Sequence, residues 1–376
     1  MTVTAEPAAD RHRARPVDLA EAPEVQRLLD GLGLGRLLPD RVVSYNGRND
    51  NWSGTTTHGV DVFVKRLGGP AADAARRLRN LLAFEELLAT APRTAGGLRG
   101  PRCLGWSEAD LLVAFALVPS AVSGAERADA GDFTDQDAFR VGAAIGTLHG
   151  LDHARRTALD TSPPPLPPTA PLTALPLERH RTASAAELRL WSILQQDEEL
   201  AAGIRALRER EAEADPCPVH GDFRLDQLLF TDEVVHLLDC EELRRADPAR
   251  DIGAYVGEWL HRAVGKLPGP CEGTGSDPAG TAPSTREMTG RATRELTRTR
   301  PLIERFRAGY ASAGTALAPA VRERAAAFAG WHLIDRVLAQ SVQRSTLTPV
   351  QRAALGIART LLLSPAAVTT TLGLED

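Results

Sequence analysis

The sequence predicts an α+β chain of two lobes: a small β-rich N-terminal lobe with one main helix, then a larger helical C-terminal lobe. Three observations predict it. Strand-like apolar runs cluster between Arg41 and Arg66 and again between Pro101 and Pro119. From Thr134 onward the apolar residues recur mostly at helical spacing. The exception is a hairpin-like stretch inside the helical part, which carries one bare acid before it, Asp222, and one after it, Asp239. A length of 376 residues allows more than one domain-sized unit. We place the boundary at Pro119, so that 1–119 forms the N-terminal tail and lobe and 120–376 the helical lobe.

Composition narrows the class of protein. Charge is mixed, with a net −5 at pH 7, which offers no basic surface for nucleic acid. The cysteines Cys103, Cys217, Cys240 and Cys271 lack any C-x-x-C spacing, so reduced thiols are expected rather than disulfides or a zinc site. No apolar run approaches the ~20 residues of a membrane span, and the N-terminus lacks the apolar core of a signal peptide. The expectation is a soluble cytoplasmic protein with no membrane or nucleic-acid partner.

Taken in order, Met1 to about Ala20 is rich in Ala, Pro and charge and reads as a loose tail. Glu21–Leu38, with Val25, Leu28, Leu29, Leu32 and Leu37 apolar at helical spacing, then reads as a short helix. Arg41–Tyr45 reads as a strand, Asn46–Gly54 as a polar turn and Thr55–Thr57 as a second strand. A His58-Gly59 turn leads into a third strand, Val60–Arg66. Alternation puts Val60, Val62 and Val64 on one face and Lys65 on the other. Pro70–Thr90 reads as a helix whose stripe of Leu78, Leu81, Leu82 and Leu88 also contains Glu85. An acid on an apolar stripe needs a cation. Lys65 is the candidate partner of Glu85, with Glu86 as the alternative. Pro101–Trp106 and Leu111–Pro119 read as two further strands.

Thr134 is a good N-cap for a helix over Asp135–Leu151. His149 and His153, four apart, read as packing or surface histidines. Ser162–Pro176 is a proline-dense connector, and Glu178–Asp215 a long charged helical region. Lys266–Thr289 is rich in Gly, Pro, Ser and Thr and reads as a loop or insert. Helices resume over Arg291–Ala313, Pro319–Gln343 and Pro349–Leu363.

The chemistry is concentrated in His220-Gly221-Asp222-Phe223-Arg224-Leu225-Asp226-Gln227 and in the strand ending at Asp239. A hairpin between them would bring Asp222 and Asp239 to one end of adjacent strands, where two carboxylates suit divalent metal and a hydroxyl beside a phosphate. With its trailing amide and strand-end Asp, this pattern resembles the aminoglycoside phosphotransferase family of the protein-kinase-like fold. The resemblance implies MgATP bound between the lobes and O-phosphorylation of an acceptor. Asp222 would orient or deprotonate the acceptor hydroxyl, Asp239 would bind Mg2+, and Lys65 would hold the α- and β-phosphates. Backbone near Ala116–Val118 would hold adenine. Gln227 stands where the family has Asn, and its carbonyl can also ligate a hard cation. The turn lacks G-x-G-x-x-G, so cradling of phosphates would fall to backbone N–H groups near Ser53 and Gly54. Arg224 would stabilise the γ-phosphoryl group; the other reading pairs it with Asp226 or Glu241. Asp251, in Asp247-Pro248-Ala249-Arg250-Asp251, would brace the catalytic loop.

Three segments also resemble the kinase subunit of class V lanthipeptide synthetases: Gly47–Trp52, His220–Gln227, and Asp247–Ala254 with Glu258-Trp259. That likeness implies phosphorylation of Ser and Thr in a ribosomal precursor peptide, with a separate lyase or cyclase subunit as partner. The alternatives are a small-molecule kinase acting on an aminoglycoside, sugar or amino alcohol, and a pseudokinase scaffold. The C-terminal acids are thinly spread, which disfavours an aminoglycoside.

Overall fold

The computed structural model describes residues 16–45, 47–91, 97–151, 159–232, 234–266, 285–314 and 316–375, with the backbone alone over 285–293 and at 296. The short helix α1 (Pro23–Gly31) precedes β1 (Val43–Tyr45), β2 (Asp50–Thr55), β3 (Asp61–Arg66) and the long helix α2 (Ala71–Thr90). Strands β4 (Cys103–Ser107), β5 (Leu112–Ala116) and β6 (Val122–Ser123) follow. Helices α3 (Gly124–Ala130), α4 (Asp135–Gly150), α5 (Leu177–Thr182), α6 (Ala185–Gln196) and α7 (Glu198–Ala212) come next. They lead to β7 (Cys217–Val219), β8 (Leu228–Phe230), β9 (Val235–Leu237) and β10 (Arg244–Ala246). The described chain closes with α8 (Ala249–Gly265), α9 (Thr285–Ser312), α10 (Pro319–Ser341), α11 (Pro349–Leu363) and α12 (Pro365–Val368). No helix among the described residues is long and apolar enough to cross a membrane.

The chain divides into two units. The first takes residues 1–124, 153–160 and 227–243; the second takes 125–152, 161–226 and 244–376. In the first, an antiparallel sheet runs in the order β1-β2-β3-β5-β4. One face is apolar because Trp52, Val62, Val64, Leu112 and Ala114 alternate onto it, and there they bury Val25, Leu28 and Leu29 of α1. The indole N–H of Trp52 donates to the Val17 carbonyl at 3.0 Å, tying down the segment ahead of α1. A small sheet, β6-β8-β9, completes the unit.

The expected strand boundaries shift here. Strand β2 begins at Asp50, so the expected turn reaches no further than Asn49, and the strand expected over Thr55–Thr57 ends at Thr55. Ser53 and Gly54 therefore lie inside β2, opposite Phe63 and Val62. They are not in a phosphate-cradling loop. The turn signals of Asn46-Gly47 and His58-Gly59 sit just outside a run whose Asn, Ser and Gly masked its pairing.

The second unit is helical. Thr134 caps α4 in a capping box with Asp137. Helix α4 crosses α9 with their backbones in contact: a Cβ on Gly142 would stand 1.9 Å from the Phe306 carbonyl oxygen, and one on Gly309 would stand 1.9 Å from that of Phe139. The single helical region expected over Glu178–Asp215 is three helices. The Ser184 hydroxyl accepts from the Glu187 N–H, and the Asp197 carboxylate from the Leu200 N–H, so each restarts a helix. His153 and most of the expected Lys266–Thr289 loop lie outside the described residues.

Candidate active site

Lys65 stands on β3, with Val64 and its neighbours on the core face and the lysine on the other, as alternation requires. Its ammonium group is buried and contacts two carboxylates, those of Asp239 and Glu241, the latter at 2.6 Å. Burial pushes the Lys65 pKa down, but the two acids outweigh it and hold the lysine above its ordinary value. The expected Lys65–Glu85 pair is not formed. Glu85 is half-buried on α2, where burial raises its pKa and the Cys103 backbone bonds to it. Cys103 in turn is pushed up to about 11, by burial and then by Glu85.

Helix α2 sends a cation towards this cluster instead of an acid. Arg77, fully buried, donates to Glu241 at 3.1 Å, to the Asn49 side-chain oxygen at 3.0 Å and to Asp73 at 3.0 Å. Asn49, from the β1–β2 turn, donates to Glu241 at 3.0 Å and accepts the Gly68 N–H at 3.1 Å. Asn80 of α2 bonds the Glu241 carbonyl at 2.9 Å. The neighbouring Glu242 meets Arg48 at 3.5 Å and Arg76 at 3.3 Å. Sequence reading missed Arg77, Asn49 and Glu241. The available signal was Arg77 itself, an arginine one turn from Ala74 and Leu81 on the buried stripe of α2, where only an acid could accompany it.

Asp239 ends the β8–β9 hairpin in the left-handed region, at φ 56°. Asp tolerates that conformation better than most residues, and such outliers cluster at functional sites. Beside it the Leu238 N–H donates to the Gln227 carbonyl at 2.8 Å, which sets buried Gln227 and Asp239 at the same end of the hairpin. Asp222 lies upstream of that hairpin. The turn Leu225–Gln227 separates it from β8, and it belongs to the second unit. Lys65, Asp239 and Gln227 thus fall within one unit, and Asp222 with Arg224 within the other.

The Asp222 loop is held from α8. Asp251 accepts the His220 N–H at 2.7 Å, the Gly221 N–H at 3.0 Å and His149 Nε2 at 3.0 Å, while the other nitrogen of His149 meets the Tyr310 hydroxyl at 3.0 Å. Burial alone would raise the Asp251 pKa; the bond and charge of His149 and the nearby His220 bring it below the usual carboxylate range. Gly221 takes φ 84°, a conformation that glycine adopts without strain, and so turns the chain to present Asp222. His149 is therefore a packing histidine with a task, and Asp251 a brace.

Arg224 lies 3.0 Å from Asp226 and 3.7 Å from Asp222. Burial works against its charge, but Asp222, Asp226 and Glu258 keep its pKa above the ordinary arginine value. A small cavity of about 60 Å³ is lined by Asp222, Phe223, Trp331, His332 and Asp335. His332 Nε2 donates to the Glu258 carboxylate at 2.8 Å, and Glu258 also lines a larger cavity of about 530 Å³ with Phe133, Trp259, His261, Arg262 and Arg298. Burial pushes Glu258 up, yet His332, followed by Arg336 and Arg262, depresses it to about 2.

Among the described residues no group of three or more His, Cys, Asp or Glu side chains could hold a metal by itself. Mg2+ supplied with a nucleotide needs no such group, since it uses one or two carboxylates and completes its shell with phosphates and water. Asp239 offers the carboxylate and Gln227 an amide carbonyl.

These features have relatives. The model of the phosphotransferase enzyme family (APH) matches residues 42–270. No curated protein sequence matches the chain. Among solved structures, choline kinase LicA from Streptococcus pneumoniae is 12% identical with a TM-score of 0.53, over 92% of this chain and 99% of that one. A choline/ethanolamine kinase family protein from Mesorhizobium loti is 14% identical with a TM-score of 0.51, over 96% and 100%. Amicoumacin kinase hAmiN, in complex with AMP-PNP, Ca2+ and Ami, is 14% identical with a TM-score of 0.51, over 92% and 93%. The five-stranded sheet with its helix and the larger helical part form the kinase-like fold, and the chain belongs to the phosphotransferase enzyme family (APH), whose members are ATP-dependent kinases.

Proposed function

We propose that the protein transfers the γ-phosphoryl group of MgATP to a hydroxyl of a small organic molecule. The observation that carries this is the ion pair of Lys65 with Asp239, which joins a cation suited to phosphate and a carboxylate suited to a divalent metal across a long sequence separation. Lys65 would hold the α- and β-phosphates, and Asp239 with Gln227 the Mg2+. Bound there, Mg2+ would neutralise developing charge on the phosphates. Asp222, on a loop locked by Asp251, would orient the acceptor hydroxyl and take its proton. Arg224, beside Asp222, would face the charge of the transferring group.

A small acceptor is favoured by the size of the cavity that Asp222 itself lines, about 60 Å³. Its mixture of Trp331, His332, Asp335 and Arg336 suits a small polar alcohol carrying charge. The structural neighbours whose names give an acceptor, choline and amicoumacin kinases, support the same class. A second reading, phosphorylation of Ser and Thr in a precursor peptide for a separate lyase, rests on Gly47–Trp52, His220–Gln227 and Asp247–Ala254 as sequence segments.

Mass spectrometry after incubation with MgATP tests both. One arm offers a panel of amino alcohols, sugars and hydroxylated antibiotics; the other offers Ser/Thr-rich precursor peptides. Phosphate on a small molecule supports the proposal. Phosphate on peptide alone replaces it with the second reading. Bound ATP with no transfer in either arm points to a pseudokinase.

A further inference from the structure

We propose that Glu241, two residues after Asp239, is the positioning residue that fixes Lys65 for the nucleotide phosphates, and that Arg77 of α2 acts through Glu241. The inference rests on the kinase reading of the site. It concerns a role that the sequence would have given to an acid of α2.

Lys65 contacts two carboxylates, and their surroundings differ. Asp239 is 29% exposed at its side chain and sits at a strand end, where a cation can reach it. Glu241 is only 9% exposed and is held on every side: Asn49 and Lys65 meet one carboxylate oxygen, Arg77 the other, and Asn80 the backbone carbonyl. Were Asp239 to hold a metal, part of its charge would be drawn away from Lys65. Glu241 then remains to hold the ammonium, whose other N–H groups become free for phosphate oxygens. A carboxylate fixed by two other donors, Asn49 and Arg77, keeps the lysine in place with little reorganisation.

Arg77 explains why the acid comes from the Asp239 loop. A guanidinium buried on the inner stripe of α2 would repel Lys65 unless a negative charge stood between them, and Glu241 is that charge. The same loop is pinned to the β1–β2 turn through Asn49 and, by Glu242, through Arg48. Gly47-Arg48-Asn49 and Cys240-Glu241-Glu242 therefore form one polar joint around the lysine.

The test is a double-mutant cycle on MgATP affinity, read by calorimetry with Lys65→Ala, Glu241→Gln and the double variant. Thermal melts alongside it verify folding. If Glu241 acts through Lys65, Glu241→Gln weakens binding by about tenfold, and the double variant is no weaker than Lys65→Ala alone. Losses that multiply, or an unchanged affinity in Glu241→Gln, would overturn the inference and leave the kinase reading intact. A wild-type protein that fails to bind MgATP would overturn both. Should Glu241→Gln not fold, Glu241→Asp keeps the charge one methylene short. It should fold and bind with an intermediate loss, and wild-type affinity in that variant would also count against the proposal.

Discussion

Arg224 stands 3.0 Å from Asp226 and 3.7 Å from Asp222, so of the two acids expected as its structural partners it meets Asp226, while Glu241 pairs with Lys65 and Arg77. Asp222 remains 44% exposed at its side chain despite this neighbour. It can reach an acceptor, whereas Asp239 is engaged with Lys65 in the other unit. Asp222→Asn should therefore lower kcat by about 10²–10⁴, the usual worth of a positioned general base, with the Kd for MgATP unchanged. A variant of near wild-type turnover would remove Asp222 from the chemistry. Glu258 gives a second residue-level prediction. Its folded pKa is about 2 against an ordinary 4.5, so its contribution is complete above pH 4.5 and disappears as pH falls towards 2. The drop corresponds to about 3 kcal/mol. In urea titrations Glu258→Gln should be less stable than wild type at pH 7, and the two should converge near pH 2. Curves that stay parallel from pH 7 to pH 2 would show that the Glu258–His332 pair adds no charge-linked stability.

At the scale of elements, the crossing of α4 and α9 allows no side chain at Gly142 or Gly309, because the atoms in the way are backbone carbonyls. Gly142→Ala must push the helices apart and should cost about 3 kcal/mol, the upper range for overpacking. Adding Gly309→Ala should cost less than its single effect, since the helices have already parted. Full additivity, or a single loss below about 0.5 kcal/mol, would show the crossing to be looser. Helix α2 shows how much of an element can be read in advance. Its extent is legible from spacing; of the expected stripe Leu78 and Leu81 are buried, while Phe84 and Leu87 fill the places given to Leu82 and Leu88, which are only half-buried. Its role is not legible, because an acid on that stripe, Glu85, looks like the partner of Lys65. Glu85 is instead accommodated by burial and the Cys103 backbone, and Arg77 supplies the charge that matters. The helices α5, α6 and α7 were foreseen as one because amphipathic spacing runs through Ser184 and Asp197, while the caps that break it act through single hydrogen bonds.

For the whole molecule, the α+β order, the strand carrying Lys65, the hairpin ending at Asp239 and the braced Asp222 loop could be read from the sequence. Each depends on local alternation or on a short motif. The partners of Lys65 could not, since they are set by contacts over 174 positions or more, and a period says nothing about which distant acid arrives. That long-range pairing leads to a prediction for the intact chain. Lys65, Glu241, Asp239 and Gln227 belong to one unit, so nucleotide linkage should be carried by that cluster and be indifferent to Asp222. At about 100 times its Kd, MgATP should stabilise the native state by about 2.7 kcal/mol and raise Tm by several degrees. The rise should persist in Asp222→Asn. It should vanish in Asp239→Ala with Mg2+ present, because Lys65 and Glu241 alone leave the triphosphate charge without its metal. A full Tm rise in Asp239→Ala would place the metal elsewhere. Loss of the rise in Asp222→Asn would mean that the acceptor-side carboxylate also binds the nucleotide complex, and the two roles would then have to be merged.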